Sequence, residues 1–345
     1  MARIALDAMG GDFAPRATIA GALLALAELS GSHVVQLLGK SRIIERELDE
    51  IVSETDALPP VDRSRIVIID APDSIAMGDK PTNALRAKSR NPMAVGLRLQ
   101  KDGKSDAFVS AGNTGAQMAA SALLLGRLPG LNRPAVATVL PTATHPVVLI
   151  DSGANVDCSA EELVQFAWLG IVYAECVLGR KNPVVGLLNI GEEKEKGNVV
   201  TKAAHTMFAD AGFNFQGNVE GRDVPNGASD RGPLDVIVCD GFTGNVALKL
   251  YEAIMPMVVR VLSSNSQLAQ GELERALGSL DTADYGGAPL LGVQGVSIIC
   301  HGNSPPRAIK NAVKVAVRAV DTRVSDHIAR RLIESGAAAP EGQTA

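Results

Sequence analysis

Residues 106–126 read DAFVSAGNTGAQMAASALLLG, and this stretch decides the fold class. A short apolar run, Ala107 to Val109, is followed by a turn of glycine and small polar residues and then by an apolar helical stretch, Gln117 to Leu125. The same order recurs along the chain, with near-continuous apolar runs separated by longer amphipathic stretches. Such runs are typical of buried parallel strands. The sequence therefore predicts an α/β fold, a three-layer α/β/α Rossmann-like sandwich with a mostly parallel sheet.

Predicted strands and helices alternate from one end of the chain to the other. The strands are expected at residues 3–6, 34–38, 66–69, 107–109, 135–140, 147–150, 184–188, 236–238 and 295–299. The helices are expected at residues 16–29, 42–53, 83–100, 117–125, 160–178, 201–211, 246–262 and 306–323, and Pro92 should break or kink the third of them. We expect residues 1–335 to form one catalytic domain, or two lobes that share one sheet, and residues 336–345 to be a disordered tail.

Composition excludes several classes of protein. The 345 residues carry 33 Lys and Arg against 38 Asp and Glu, a formal charge of -5, and 3% are aromatic, so no nucleic-acid partner is expected. Four widely spaced cysteines and five histidines without ligand spacing indicate neither a disulfide framework nor a metal site. Because no signal-peptide or membrane-spanning stretch is apparent, a cytoplasmic protein is expected.

Familiar catalytic motifs are absent from the sequence. No G-x-G-x-x-G occurs, and Gly39-Lys40-Ser41 lacks the earlier glycine of a P-loop, since Val34 stands at that position. G-x-S-x-G and H-E-x-x-H are also missing. The sequence therefore predicts no dinucleotide fingerprint, no Walker loop, no nucleophile elbow and no zincin.

Several predicted strands end in an acidic or small polar residue that is followed by glycine. The set comprises Asp7 before Gly10 and Gly11, Ser110 before Gly112 and Gly115, Asp151 before Gly153, Asn189 before Gly191, Asp240 before Gly241 and Gly244, and His301 before Gly302. Any one of these loops could be an ordinary turn or helix cap. As a set they predict a polar, glycine-lined cleft, because parallel strands place their carboxyl ends at one edge, where α/β proteins bind ligands.

Three of these loops contain groups that suit an anion. SAGNTGA (Ser110–Ala116) and CDGFTGN (Cys239–Asn245) each precede a predicted helix, the second expected to begin near Val246, so their N–H groups could bind phosphate or an oxyanion. Thr114 could equally be an ordinary N-cap. In LLNIGEEKEKGN (Leu187–Asn198), a solvated charge run explains Lys194 better than a site does, whereas for Lys196 both interpretations stay open.

The segments DAMGGDFAP, SAGNTGA, GANVDC, LLNIGEE, VCDGFTGNV, YGGAPLLG and the late His301-Gly302 pair occur in the order seen in the phosphate acyltransferases of bacterial phospholipid synthesis. The chain resembles this family from Asp7 to about Arg323. The resemblance implies transfer of a fatty acyl group from acyl carrier protein to inorganic phosphate, giving an acyl phosphate for a glycerol 3-phosphate acyltransferase. It also implies a fold similar to that of isocitrate and isopropylmalate dehydrogenases, a homodimer, peripheral membrane association, and no metal or organic cofactor.

This chemistry suggests roles for the candidate residues. Because phosphate is itself the nucleophile, the protein must supply a dianion site, oxyanion donors and alignment of the substrates. We expect Lys196 to bind phosphate and Asn245 to donate to the oxyanion or to phosphate. The expected anion cradle comprises Ser110, Gly112, Asn113, Thr114, Gly115, Gly241, Thr243, Gly244 and His301, the last chiefly as a capping or positioning residue. The residues expected to orient loops are Asp7, Gly10, Gly11 and Asp12.

Two surface regions are candidates for macromolecular contact. The cations expected on one face of the helix from Pro306, either a docking patch for the acidic carrier protein or solvated charge, are Arg307, Lys310, Lys314 and Arg318. The apolar residues expected to insert into lipid, or to be buried in a dimer, are Ile254, Met255, Met257 and Val258. Two rival functions also remain: a phosphotransacetylase-like enzyme acting on coenzyme A thioesters, and a non-enzymatic membrane-associated scaffold.

Overall fold

A computed structural model describes residues 1–54, 62–75, 78–79, 87–265 and 282–338. The chain divides into two compact units, one formed by Met1–Leu128 with Gly286–Ser325 and the other by Pro129–Tyr285 with Asp326–Ala345. Each unit contains largely parallel strands joined by helices, which confirms the α/β class. The extent of a single domain over residues 1–335 stays a prediction.

The first unit is a helix-covered sheet whose neighbouring strands are parallel, except that Ala288–Leu291 runs antiparallel to Ser297–Ile299. Its strands are β1 (Arg3–Asp7), β2 (Val34–Gly39), β3 (Ile66–Asp70), β4 (Ala107–Ser110), β12 (Ala288–Leu291) and β13 (Ser297–Ile299), in the spatial order β3-β2-β1-β4-β13-β12. Its helices are α1 (Arg16–Glu28), α2 (Ser41–Glu54), α3 (Pro92–Lys101), α4 (Thr114–Leu124) and α9 (Pro306–Asp321).

Both faces of this sheet are buried. Ile4 and Leu6 of β1 join the apolar core that includes α1, α2 and α9. On the other face, Phe108 of β4 packs so closely on Gly96 of α3 that a Cβ there would lie 2.5 Å from the ring. Burial on two sides explains why these strands are continuous apolar runs rather than alternating ones.

The second unit has a sheet of similar design. Its strands are β5 (Ala135–Leu140), β6 (Val147–Ile150), β7 (Val185–Leu188), β8 (Phe215–Val219) and β11 (Val236–Val238), in the order β5-β6-β11-β7-β8, with a short hairpin of β9 (Ala228–Ser229) and β10 (Gly232–Pro233). Only β5 pairs antiparallel, with β6, among the described pairs of this sheet. Its helices are α5 (Ala160–Cys176), α6 (Val199–Asp210), α7 (Asp223–Asn226), α8 (Gly241–Asn265) and α10 (Val324–Glu334), which begins in the last two residues of the first unit.

The structure changes two predicted helix starts. Pro92 begins α3, and the Asn91 side chain caps it by accepting from the N–H of Ala94 at 2.9 Å. The break at Pro92 is therefore confirmed, whereas residues 83–86 of the predicted helix lie outside the described residues. The start near Val246 is wrong, because α8 already begins at Gly241.

Helix α10 and four strands were not predicted. The strands β8 and β12 interrupt their apolar runs with Gln, Gly, Asn or Pro, and β9 and β10 have only two residues each, so periodicity did not reveal them. The disordered tail from residue 336 stays a prediction, although the Ala337 carbonyl accepts from Gln165 Nε2 at 2.8 Å. Residues 339–345 of the predicted tail lie outside the described residues.

Candidate active site

In each unit, three adjacent parallel strands bring their following loops to one edge. In the first unit the strands β1, β4 and β13 are neighbours, so Asp7, Ser110 and His301 lie at what we call the first carboxyl edge. In the second unit the strands β6, β11 and β7 are neighbours, and the loops from Asp151, Asp240 and Asn189 form the second carboxyl edge. The predicted grouping of strand-end loops is thus observed within each unit.

A buried carboxyl–hydroxyl pair supports the first carboxyl edge. The Ser110 hydroxyl donates to Asp7 Oδ2 at 2.8 Å, Asp7 Oδ1 accepts from the N–H of Met9 at 3.0 Å, and Ser110 Oγ accepts from the N–H of Gly112 at 3.0 Å. Burial raises the pKa of Asp7 to about 6, although the Ser110 and Met9 hydrogen bonds act to lower it. In this structure the Ser110 hydroxyl donates to Asp7 and the Gly112 N–H donates to Ser110, and the place of both residues in the anion cradle stays a prediction.

The loop after β1 is shaped by close contacts at its glycines. A Cβ on Gly10 would lie 2.6 Å from Asp7 Oδ2, and Gly11 has a φ of +108° that favours glycine. The N–H of Asp12 donates to the carbonyl of Gly302 at 2.7 Å, which joins this loop to the one after β13. These contacts are what a loop-orienting role requires.

The N-terminus of α4 retains exposed backbone donors. Asn113, rather than Thr114, is the N-cap, since its Oδ1 accepts from the N–H of Ala116 at 2.9 Å. Thr114 and Gly115 are exposed, and their N–H groups have no acceptor among the described residues. They are the groups of SAGNTGA best placed to meet an anion. The exposed His301 accepts from the N–H of Ser304 at 3.0 Å through its carbonyl, as a residue that shapes a turn does.

Asp151 organises the second carboxyl edge. Its buried carboxylate accepts from four backbone N–H groups, at 2.7 to 3.2 Å, and from the Asn155 side-chain amide at 2.9 Å. The backbone donors are Val136, Gly153, Ala154 and Asn155. Burial raises the pKa of Asp151, whereas these hydrogen bonds act to lower it. Sequence reasoning noted Asp151 before a glycine but did not foresee this hub.

The first turn of α8 is already hydrogen-bonded within the protein. Gly241 donates its N–H to the Asn155 carbonyl at 2.7 Å, and Gly244 donates to the Asp240 carbonyl at 2.9 Å. Thr243 donates its N–H and its hydroxyl to the Asp240 carboxylate at 2.8 and 3.0 Å. The N–H groups of Gly241, Thr243 and Gly244 thus donate within the protein at a helix N-terminus with an acidic cap, and their place in the anion cradle stays a prediction.

Lys196 and Asn245 are unengaged at the second carboxyl edge. The exposed Lys196 extends its stem over Gly191, where a Cβ would lie 2.9 Å from Cγ, and its ammonium has no ion pair among the described residues. Asn245 is exposed beside Gly153, and its amide has no hydrogen-bond partner in the described part of the chain. The edge therefore presents the Lys196 ammonium and the Asn245 amide to an incoming anion, and Lys194 on the same loop is also exposed without an ion pair among the described residues.

Exposed apolar side chains follow the same three strands. The segments after β6, β7 and β11 carry large apolar residues that are between 55% and 85% exposed, which we call the apolar rim: Val156, Ile190, Val199, Phe242 and Val246. Exposed large apolar residues that gather at one edge of a sheet favour a binding site there. Sequence reasoning missed the rim, although apolar residues inside glycine-rich loops were a signal that could have revealed it.

The predicted surface regions fare differently. Lys310 and Lys314 of α9 both pair with Glu28 of α1, at 2.7 and 2.5 Å, so two of the four expected docking cations are engaged. Arg307 and Arg318 are exposed, and the docking role of this helix stays a prediction.

On α8, Met257 is 56% exposed, and Ile254 and Val258 are half-buried. The side chain of Met255 lies outside the described residues. No helix in the described ranges is long and apolar enough to cross a membrane. The described His, Cys, Asp and Glu residues form no cluster that could hold a metal ion.

Comparison with known proteins places the chain among enzymes that handle phosphate. A family model described as "Fatty acid synthesis protein" matches residues 2–327. The phosphate acyltransferase of Desulforamulus reducens is 48% identical over 330 residues, covering 93% of this chain and 94% of its own, and that of Heliobacterium modesticaldum is 47% identical, covering 94% and 97%. A crystal structure of a phosphotransacetylase from Streptococcus pyogenes superposes with a TM-score of 0.63 at 16% identity, over 93% of this chain and 94% of that one, a likeness of fold.

Proposed function

The chain belongs to the phosphate acyltransferase family, and from this premise we propose that it transfers a fatty acyl group from acyl carrier protein to inorganic phosphate. The product would be an acyl phosphate, the acyl donor for a glycerol 3-phosphate acyltransferase in phospholipid synthesis. One observation carries the proposal: the exposed Lys196 and Asn245 share the second carboxyl edge with the residues of the apolar rim. A long acyl chain gains about 0.8 kcal/mol for each methylene it buries, whereas an acetyl group has almost none to bury.

The proposed step needs no covalent enzyme intermediate. A phosphate oxygen attacks the thioester carbonyl carbon, the carbonyl oxygen becomes an oxyanion, and the C–S bond then breaks to give acyl phosphate and the carrier thiolate. The Lys196 ammonium offsets the repulsion between the phosphate dianion and the developing oxyanion. The Asn245 amide donates a hydrogen bond to that oxyanion. A thiol with a pKa near 8.5 leaves adequately as thiolate, so a strong general acid is not required.

The direct test follows the thiol and the phosphorus together. Free carrier-protein thiol is measured from long-chain acyl carrier protein with and without inorganic phosphate, and phosphorus NMR identifies the product. The expected result is phosphate-dependent release with an acyl phosphate signal that persists with a metal chelator. Release that does not depend on phosphate would indicate a hydrolase. Equal activity on acetyl-coenzyme A would indicate a phosphotransacetylase. No release would indicate a scaffold or an enzyme with another substrate.

A second experiment tests the apolar rim. The double substitution Ile190→Ser and Val199→Ser should raise KM for a long-chain donor about tenfold and leave a four-carbon donor within twofold, because only the long chain reaches the lost apolar surface. Ile333→Ser on α10 is the matched control, since Ile333 is 67% exposed but lies away from the strand-end loops. Equal effects on both donors would contradict the assignment of the rim to the acyl chain.

We propose further that the apolar face of α8 is covered in the cell, in a homodimer, by lipid or by both. This makes the protein a cytoplasmic enzyme held peripherally at the inner face of the membrane, near the enzyme that consumes its product. The exposed Met257 supports the proposal. A polarity-sensitive dye on Met257→Cys should respond to anionic vesicles, and sedimentation should give twice the mass of one chain. An unchanged spectrum would exclude insertion at this position.

A further inference from the structure

The loop that presents Lys196 is held by residues far from it in sequence. The sequence favours solvated charge for Lys194 and leaves Lys196 open, and the structure ties the segment from Glu192 to Lys196 to β8 and to the hairpin of β9 and β10. The ties involve both the main chain of the loop and one of its carboxylates. Each of them lies within the second unit.

Glu192 is bound by two guanidinium groups. Arg222 Nη2 contacts Glu192 Oε1 at 3.1 Å, and Arg231 Nη2 contacts Glu192 Oε2 at 3.3 Å and the Glu192 carbonyl at 3.3 Å. Arg231 is itself anchored, because its Nη1 donates to the Gln216 carbonyl at 2.6 Å. The Glu192 carboxylate is therefore occupied four residues before Lys196, and is kept from pairing with the lysine.

Asn218 holds the next residue of the loop from beneath. Its side-chain amide donates to the Glu193 carbonyl at 2.8 Å, and the same carbonyl accepts from the N–H of Lys196 at 3.0 Å. Asn218 is fully buried, and its Oδ1 has no hydrogen-bond partner in the described part of the chain. A buried amide oxygen without a donor is unfavourable, so the contact to the loop sets the orientation of this side chain.

The chain is equally fixed on the other side of Lys196. The Asn189 amide donates to the Lys196 carbonyl at 3.2 Å. Gly197 has a φ of +95°, and a Cβ there would lie 2.1 Å from Thr201 Oγ1. The main chain of Lys196 is thus held from both directions, while its ammonium has no ion pair within the described residues.

We infer that Glu192, together with Arg231 and Asn218, is a positioning device that keeps the Lys196 ammonium free and aimed for phosphate. The inference rests on the proposed role of Lys196 in binding phosphate. Glu192 acts in two ways: its ion pairs hold the loop against Arg231, and those same pairs remove a carboxylate that would otherwise neutralise the lysine or repel the dianion. Asn218 fixes the carbonyl to which the Lys196 N–H is bound.

A double-mutant cycle between Glu192 and Lys196 tests the device. Glu192→Ala should raise both KM and the calorimetric Kd for inorganic phosphate about tenfold, with KM for the acyl donor within twofold of wild type. In the Lys196→Ala background, the same substitution should change either quantity less than twofold, because no cation remains to be positioned. Glu192→Gln, whose oxygen can still accept from Arg231, should recover part of the affinity.

Glu220→Ala is the matched control. Glu220 also pairs with Arg222, at 3.4 Å, and its side chain is 30% exposed against 27% for Glu192, but it does not hold the loop. This variant should bind phosphate within twofold of wild type. Asn218→Asp, which keeps the size of the side chain but loses the donor, should weaken phosphate binding without a matching change in donor KM, and a thermal scan checks that it is folded.

The outcomes separate the positioning role from the proposed function. If wild type binds and turns over phosphate but Glu192→Ala does so equally well, the positioning role is wrong and the proposed function stands. Equal losses in the wild-type and Lys196→Ala backgrounds would also overturn it, since that pattern indicates a general structural effect. If wild type neither binds nor consumes phosphate, both the proposed function and the positioning role fail.

Discussion

The two carboxyl edges are built alike but engage their polar groups differently. At the first, the described donors of Ser110 and Gly112 bind within the protein, and Asp7 is covered. At the second, the Asp151 carboxylate accepts from the backbone N–H groups around it and Asp240 caps α8. The side chains of Lys196 and Asn245 nevertheless remain exposed and make no hydrogen bond or ion pair among the described residues. Similar glycine-and-acid loops therefore engage their polar side chains within the protein in one place and leave two of them exposed in the other.

The difference teaches that a glycine-rich strand end is by itself weak evidence for a ligand site. The second edge differs because the side-chain donors Lys196 and Asn245 make no hydrogen bond or ion pair with the described residues. Exposed apolar residues lie at the same edge. The first edge offers an anion chiefly the backbone N–H groups of Thr114 and Gly115. We therefore expect substitutions to lower activity most at the second edge and stability most where carboxyl groups are buried.

The largest expected effect is at the second edge. Asn245→Ala should lower kcat by about 10²-fold to 10³-fold, as loss of an oxyanion donor does, and Lys196→Ala should lower kcat/KM for phosphate by at least as much. The phosphate-dependent thiol-release assay measures both. Lys194→Ala, a cation two residues away, is the control and should stay within threefold of wild type. If Lys194→Ala were as damaging as Lys196→Ala, the net charge of the loop, and not one positioned cation, would be responsible.

A substitution at Gly244 tests how closely α8 packs against the main chain at Asp151. A Cβ on Gly244 would lie 1.9 Å from the Asp151 carbonyl oxygen, so Gly244→Ala should lower the free energy of unfolding by about 3 kcal/mol. Urea denaturation measures this change. Gly221→Ala, where no atom lies within 4 Å of the added Cβ, should change it by about 0.5 kcal/mol or less. Similar results for the two variants would show that the hub can relax.

A pH test addresses the first edge. The pKa of Asp7 is raised from 3.8 to about 6 by burial, so the folded state takes up a proton between these values before the unfolded chain does. This contribution to stability is fully present below about pH 4 and is lost as pH rises through 6. Wild type should therefore gain about 2 kcal/mol relative to Asp7→Asn between pH 7 and pH 4. Urea denaturation at each pH measures both free energies of unfolding. If the free energy of unfolding changed with pH by the same amount in the two proteins, a buried ionisable Asp7 would be contradicted.

The smallest expected effect concerns Ser110. Its hydroxyl bonds to the Asp7 carboxylate and lowers the pKa of Asp7, so Ser110→Ala should cost about 1.5 kcal/mol of unfolding free energy at pH 7 and less at pH 5. The pH-dependent window of Asp7 should move upward in the same titrations. If Ser110→Ala instead raised KM for phosphate strongly and left the free energy of unfolding unchanged, Ser110 would belong to the anion cradle. The two edges would then differ less than we expect.

Much of the fold could be predicted because the strands of both units are buried on two faces. The runs at 135–140, 147–150 and 236–238 were predicted with the observed bounds, since each is apolar except for Thr138. In contrast, β8 carries Gln216 and Asn218, and Asn218 donates to the loop at Glu193. These polar residues interrupt the apolar run, so periodicity did not predict the strand. The start of α8 was missed because its first turn, GFTGN, has the composition of a loop.

The sequence by itself determined the α/β class, the loops at which polar groups collect and, through its ordered motifs, the family. It could not determine which polar groups those loops leave unengaged. Glu28 neutralises Lys310 from 282 residues away, and Arg231 binds Glu192 across 39 residues. Hydrogen bonds and ion pairs form between groups that folding brings within about 3 Å, whatever their distance along the chain. The tertiary structure therefore established that Glu192 is paired with Arg222 and Arg231 while Lys196 has no ion pair among the described residues.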